Sequence, residues 1–276
     1  MGKTIIQIYE VQKPKEAEAV IDLGVDHIGS VLTDQNKWRN AAIRKTGQVT
    51  RQAGAKSGLI HLFKDPIKIF QAIDYYQPDF VHCCEVLSPF PGDQATVVRE
   101  YDALLSLQLE LKDRFPQVEI MRSLSVPQAD LSPARDIQKN ILRFAELFAP
   151  FSDYFLLDTL IANPENQSLQ PVAGYVGITG VVCDWNIAKA VIEKSPIPVI
   201  LAGGLSGQNV YDAIVSLKPA GVDSCTQTNA VDKNGRPIRF KKDMKKVRRF
   251  VEEAQRADRF VQGDNFVAQP IHTKGI

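Results

Sequence analysis

Apolar residues gather in eight short runs rich in β-branched side chains, at 4–9, 26–32, 58–63, 79–84, 118–124, 153–158, 198–202 and 222–226. Runs of this length and composition predict strands buried on both faces. Between them the apolar spacing lengthens to a helical period. Over 14–23, Ala17, Val20 and Ile21 share one helical face, and over 186–194 Ala188, Val191 and Ile192 do the same. A last helix is expected over 240–251, with Phe240, Met244, Val247 and Val251 in one stripe. Longer helical patterns follow a Pro/Gly-rich loop within 88–114 (Tyr101, Leu104, Leu105, Leu111) and fill 134–148 after Pro127 and Pro133, so the fourth and fifth strand–helix units are enlarged. Strands alternating with helices predict an α/β protein with a parallel sheet. Eight such units predict a closed (β/α)8 TIM barrel rather than an open doubly wound sheet, which more often has about five or six strands. Gly24, Gly203, Gly204 and Gly221 stand where helices and strands must turn. The barrel is expected to occupy 1–255; from Arg256 to Ile276 the periodicity weakens and a C-terminal tail is expected.

The length of 276 residues fits a single barrel. Thirty-three basic and 32 acidic residues leave a net charge of +1, which argues against a nucleic-acid partner bound by phosphate neutralisation. No apolar run approaches the roughly 20 residues of a membrane span, and the N-terminus runs straight into a strand-like segment, so neither a membrane nor a signal peptide is expected. The cysteines at 83, 84, 183 and 225 do not suit a disulfide scaffold, and a cytoplasmic setting follows.

In a barrel the chemistry lies at the C-terminal ends of the strands. There the chain offers Tyr9 and Glu10, His61 and Lys64, His82 to Glu85, Arg122, Asp158, and Cys225 with Thr226. Asp158 ranks first. It closes the run from Tyr154 to Asp158, where a buried carboxylate is costly, and alternation puts it on one face with Tyr154 and Leu156. A helix cap or loop anchor is the structural alternative. Gly177, Thr179 and Gly180 precede the helix that begins near Asp184-Trp185; Gly203 and Gly204 follow the seventh run, and Thr226 and Gln227 follow the eighth. Glycine at these places lets backbone N–H groups cradle a phosphate. His61 and the run His82-Cys83-Cys84-Glu85 contain metal-ligand types, but adjacent strand residues face opposite sides and cannot converge on one ion. No metal is therefore expected. The basic run from Arg239 to Arg249 carries an apolar stripe, as a barrel helix with a solvated outer face does.

Several motifs in order carry a resemblance to a known family: residues 19–29 (AVIDLGVDHIG), Phe155 to Thr159, Gly177 to Gly180 with Asp184-Trp185, residues 199–205 (VILAGGL) with Asn209-Val210, Gly221-Val222-Asp223, and Lys242-Asp243. Together they resemble the phosphoribosylanthranilate isomerases of tryptophan biosynthesis over about residues 4 to 254, most closely from Asp153 onward. The resemblance implies a small phosphorylated, sugar-derived substrate, no cofactor, and an Amadori aldose–ketose isomerisation in which Asp158 is the general acid. The family's base is a cysteine at the end of the first strand, and here Tyr9 stands in its place. A phenol with pKa near ~10 is a poor base, which leaves Glu10 and His82 as replacements. Without one of them, weak or absent turnover is expected. Arg39 takes the place of the family's Ser-Pro-Arg arginine and Arg122 that of its fifth-strand lysine, both as substrate-binding candidates. The family's Ser-Ser-Gly after the eighth strand reads Cys225-Thr226-Gln227. These departures admit two alternatives to the family's own reaction: an isomerase or lyase acting on another sugar phosphate, or a barrel that binds a phosphorylated ligand without turnover. The oligomeric state is not legible.

Overall fold

Eight parallel strands close on themselves in a computed structural model that describes residues 2–90, 94–129, 134–161 and 172–263. The strands are β1 (Ile5–Ile8), β2 (His27–Leu32), β3 (Lys56–His61), β4 (Phe80–Cys83), β5 (Glu119–Pro127), β6 (Tyr154–Leu160), β7 (Val199–Leu201) and β8 (Gly221–Ser224). β1 pairs with both β2 and β8, and this closes the barrel. Around it lie α1 (Pro14–Ile21), α2 (Ala41–Gln52), α3 (Pro66–Tyr76), α4 (Gln94–Arg114), α5 (Ala134–Phe148), α6 (Trp185–Lys194), α7 (Val210–Leu217) and α8 (Met244–Gln262). The predicted α/β barrel with eight strands is the fold observed.

The period-2 alternation of each strand separates two cores. Ile6, Ile8, Phe155, Leu157, Val199, Leu201 and Val222 point outward and bury their side chains against the helices. Tyr9, Phe80, Met121, Leu156 and Ile200 point inward and fill the barrel itself. The inner packing is tight enough to need a missing side chain. A Cβ on Gly29 would lie 1.9 Å from the Tyr9 ring, so glycine on β2 makes room for the aromatic on β1. Asn40, Asp65, Asp184 and Asp243 each accept two backbone N–H bonds at the starts of α2, α3, α6 and α8. Such caps contribute about 1 kcal/mol each and set where the strand-to-helix loops end.

The structure corrects the expected boundaries in several places. The stretch expected as one helix over 240–251 is two elements. Phe240 lies on a strand, and α8 begins only at Met244, after the Asp243 cap. That strand, β10 (Pro237–Lys242), pairs antiparallel with β9 (Asn229–Val231) in a hairpin placed between β8 and α8. Its turn residues Asn234-Gly235 are a hairpin signal that the helical spacing of Phe240 with Met244 obscured. α8 continues to Gln262, past the Arg256 start of the expected tail, and Asp258 on it accepts both the backbone N–H and the hydroxyl of Thr4. β8 ends at Ser224, with Thr226–Thr228 forming a 3-10 turn, and β6 runs two residues beyond Asp158. Pro133 and residues 264–276 lie outside the described residues. Among the described residues no helix is long and apolar enough to cross a membrane.

Candidate active site

Two recesses open at the C-terminal mouth of the barrel, and they differ in character. One is lined mainly by loop backbone and polar side chains: Gly180, Gly203, Gly204, Ser224, Thr226 and Gln227. The other is walled by Val31, Ile60, Leu62, Leu156 and Val176, with Tyr9, Glu10, His82 and Cys84 among the lining residues. Asp158, Ile178, Asp223 and Cys225 line both. The two recesses therefore meet at a pair of carboxyl groups.

Asp158 reaches this junction because the alternation of β6 places it on the face of Leu156, inside the barrel. Its Oδ1 accepts one hydrogen bond, from the backbone N–H of Thr159 at 2.7 Å. Loss of water around the carboxyl pushes its pKa from 3.8 up to about 7. Gly177 lies directly against it. A Cβ there would sit 2.0 Å from Asp158 Oδ2, and the φ of +95° is one that glycine adopts freely. Asp223, on the inner face of β8, accepts a 3.1 Å bond from Gln7 Nε2, and Gln7 Oε1 in turn faces His27 Nδ1 at 3.2 Å. Burial first, and then the charge of Asp158, push Asp223 to about 8. Lys242 contributes an opposing pull but bonds elsewhere: its buried ammonium donates to the Cys225 carbonyl, Thr228 Oγ1 and Asn229 Oδ1. It thereby fixes the loop after β8 from the hairpin side.

The phosphate candidates divide. Gly180, Gly203, Gly204, Thr226 and Gln227 come together around the polar recess. Thr226 donates to the Ile178 carbonyl and Gln227 Nε2 to the Gly180 carbonyl, so the loops after β6 and β8 are tied across it. Gly204 admits no side chain, since a Cβ would lie 2.7 Å from the backbone of Val181 and Val182. Gly177 instead packs on Asp158, and the Thr179 hydroxyl accepts from the Val181 N–H within its own loop.

The base candidates all line the apolar recess, yet each is engaged. Tyr9 points its hydroxyl down the barrel to Met121 Sδ at 3.8 Å, and burial followed by the charge of Asp223 pushes its pKa well up. Glu10 is fully buried and held by Arg239 Nε at 2.6 Å and Asn229 Nδ2 at 3.1 Å, both from the hairpin region. His82 stacks near Tyr9, and its Nε2 pairs with Ser123 Oγ at 2.7 Å. Burial, and then the Arg122 charge, lower His82 to about 3, so the ring is neutral; its Nδ1 has no partner among the described residues.

The two arginines expected to bind substrate lie elsewhere. Arg122 faces the helix layer, bonded to Glu85 at 2.7 Å and Gln108 at 2.6 Å and stacked over Phe148. The strand register explains this: Met121 and Ser123 point inward, so Arg122 must point out. Arg39 is exposed beside Trp38 and lines a separate surface recess with Lys37 and Lys68. Sequence reasoning also passed over Asp223, Gln7 and the hairpin residues Arg239 and Lys242. An eighth strand over 222–226 would put Asp223 near its start, whereas β8 ends at Ser224 and brings Asp223 to the mouth.

The model of a known family, described as N-(5'phosphoribosyl)anthranilate (PRA) isomerase, matches residues 109–253. An N-(5'-phosphoribosyl)anthranilate isomerase from Pyrococcus abyssi is 36% identical over 250 residues, which cover 91% of this chain and 97% of that one. The solved structure of the corresponding enzyme from Pyrococcus furiosus superposes with a TM-score of 0.60 at 23% identity, covering 92% of this chain and 99% of that one. A phosphoribosyl anthranilate isomerase solved in complex with reduced 1-(o-carboxyphenylamino)-1-deoxyribulose 5-phosphate superposes with a TM-score of 0.57 at 17% identity, covering 91% and 98%.

Proposed function

This chain belongs to the phosphoribosylanthranilate isomerase family, and from that premise we propose that it isomerises phosphoribosylanthranilate by an Amadori rearrangement. The observation that carries the reading is the meeting of a polar, glycine-lined recess and an apolar one at Asp158. The substrate has the same polarity along its length. Its phosphate fits the backbone donors and hydroxyls around Gly180, Gly203, Gly204 and Thr226, its aromatic ring fits the wall of Val31, Ile60, Leu62 and Val176, and its ribose lies between them. His82 Nδ1, without a partner among the described residues, is available to a polar substituent of that ring.

Asp158 has the character of a general acid, because with a pKa of about 7 it keeps a large share of its proton at neutral pH. Given to the furanose ring oxygen, that proton lets the bond from C1′ to the ring oxygen break while the nitrogen lone pair forms the C=N bond of a Schiff base. Removal of the C2′ proton then gives an enolamine, which tautomerises to the ketone. The test is to incubate purified protein with phosphoribosylanthranilate and follow the loss of anthranilate fluorescence. Wild type is expected to quench it with time, and Asp158→Asn is not. No quenching by wild type, together with no binding of a reduced product analogue, would overturn the reading.

A further inference from the structure

We infer that Asp223 is the general base of this chain, taking the C2′ proton while Asp158 serves the ring oxygen; the inference rests on the isomerase reading above. The contacts narrow the choice. Tyr9 directs its hydroxyl to Met121, away from the mouth, and Glu10 spends both carboxylate oxygens on Arg239 and Asn229. His82 commits Nε2 to Ser123 and is held neutral with little affinity for a proton. The thiols of Cys84 and Cys225 are pushed far up, burial being the largest cause in each, so neither forms a thiolate near neutral pH.

Asp223 differs from all of these. It is buried, projects inward from β8, and lines both recesses, as Asp158 does. A substrate with its phosphate in one recess and its aromatic ring in the other must pass its sugar carbons beside the groups common to both. The only hydrogen bond to the Asp223 carboxylate among the described residues comes from Gln7 on Oδ1, which fixes the group without neutralising it. The charged and titratable groups around it are Asp158, Lys242, Tyr9 and Cys225. The charge of Asp158 disfavours ionisation of Asp223, so the two carboxyls together readily keep one proton; in the form that carries it on Asp158, Asp158 is the acid and Asp223 the base.

The cycle balances on these two groups. Asp158 gives its proton to the ring oxygen as the ring opens. Asp223 takes the C2′ proton, and the C–H electrons become the C1′=C2′ bond as the iminium nitrogen is neutralised. The enol hydroxyl then returns a proton to Asp158, and Asp223 protonates C1′ as the ketone forms. Both carboxyls are restored.

The experiment is a kinetic comparison of the full-length chain and its variants on phosphoribosylanthranilate. Asp223→Asn is expected to lower kcat by about 10²-fold or more, with KM changed by no more than about threefold. Its pH profile should lose the acidic limb, because no base remains to be protonated. Asp223→Ala should fall as far and regain rate on addition of formate, which Asp223→Asn should not. An active wild type with Asp223→Asn near the normal rate, or with Asp223→Ala unresponsive to formate, overturns this inference and leaves the functional reading standing. An inactive wild type that binds no analogue overturns the functional reading, and the base assignment falls with it.

Discussion

The two ends of the barrel use aspartate in opposite ways. At the N-terminal end, Asp26, Asp79 and Asp153 each stand just before a strand and accept a backbone N–H from the preceding strand: Ile6 at 2.9 Å, Ser57 at 2.6 Å and Ile120 at 2.7 Å. Two of them also hold lysines, Lys3 on Asp26 and Lys112 on Asp153. At the C-terminal end, Asp158 has one hydrogen bond from its own neighbour and Asp223 has one from an amide side chain. Among the described residues neither is ion-paired. The side chain is the same at both ends; what differs is the supply of donors and cations, and of water. Where donors are plentiful the carboxylate pins a strand start and stabilises the fold. Where they are scarce and water is excluded, the carboxyl holds its proton toward neutral pH, the property a proton-transfer group needs.

The largest effect that would break this contrast is kinetic. Asp158→Asn is expected to lower kcat by about 10²–10⁴-fold while leaving the barrel folded, whereas Asp153→Asn should leave kcat within about twofold; steady-state fluorescence assays with circular dichroism measure both. Next comes stability. A carboxyl raised from 3.8 to about 7 binds its proton more tightly folded than unfolded. Its contribution therefore favours the folded state at low pH and is lost as pH rises through about 4 to 8. Asp158→Asn should accordingly be as stable as wild type near pH 4 and more stable by roughly 4 kcal/mol near pH 8, a gain of roughly 10 °C in Tm. Equal Tm values at pH 8 would sink the argument.

A smaller effect is expected in the polar recess. Gly180→Ala places a methyl 3.1 Å from Thr226 at a φ of +69°, and it should weaken inorganic phosphate binding about tenfold, roughly 1.4 kcal/mol. Gly180 probes the recess more cleanly than Gly203, whose Cβ would lie 2.4 Å from Thr159 Oγ1 and disturb β6 itself. Unchanged affinity by calorimetry would remove the recess as the phosphate site. The smallest effect belongs to the other end of the barrel. Asp79→Asn weakens one charge-assisted bond to the backbone and should cost about 1 kcal/mol in urea unfolding, with no change in KM.

Much of this molecule is legible from local pattern. The eight strands, the capped helix after Asp184, and the inward direction of Asp158 follow from period and turn chemistry, which depend on neighbours in the chain. Burial of a carboxylate at a strand end is likewise a sequence-level signal, and it found Asp158. The same pattern cannot say which way an arginine on β5 points until the register is fixed. Arg122 was read as facing the substrate and in fact faces Glu85 and Gln108. Nor can it distinguish a strand from a helix start at Phe240, where a helical stripe and a hairpin share the same apolar residues.

The sequence by itself determined the alternation of strand and helix, the closure number of the barrel, the glycines of the loops after β6 and β7, and the placement of one carboxyl at the rim. These are properties of short segments, set by side-chain period and backbone freedom. Only the tertiary structure decided which carboxyls meet and what surrounds them. Asp158 and Asp223 are 65 residues apart in the chain, and they reach the same recesses because β7 pairs with both β6 and β8 and turns their inner faces to one mouth, rather than because of any local signal. Closure likewise brings Gln7 to Asp223 and carries the hairpin's Arg239 to Glu10. Proton affinity depends on water, donors and charge within a few ångströms, and those come from residues that the chain brings together only when the barrel is complete.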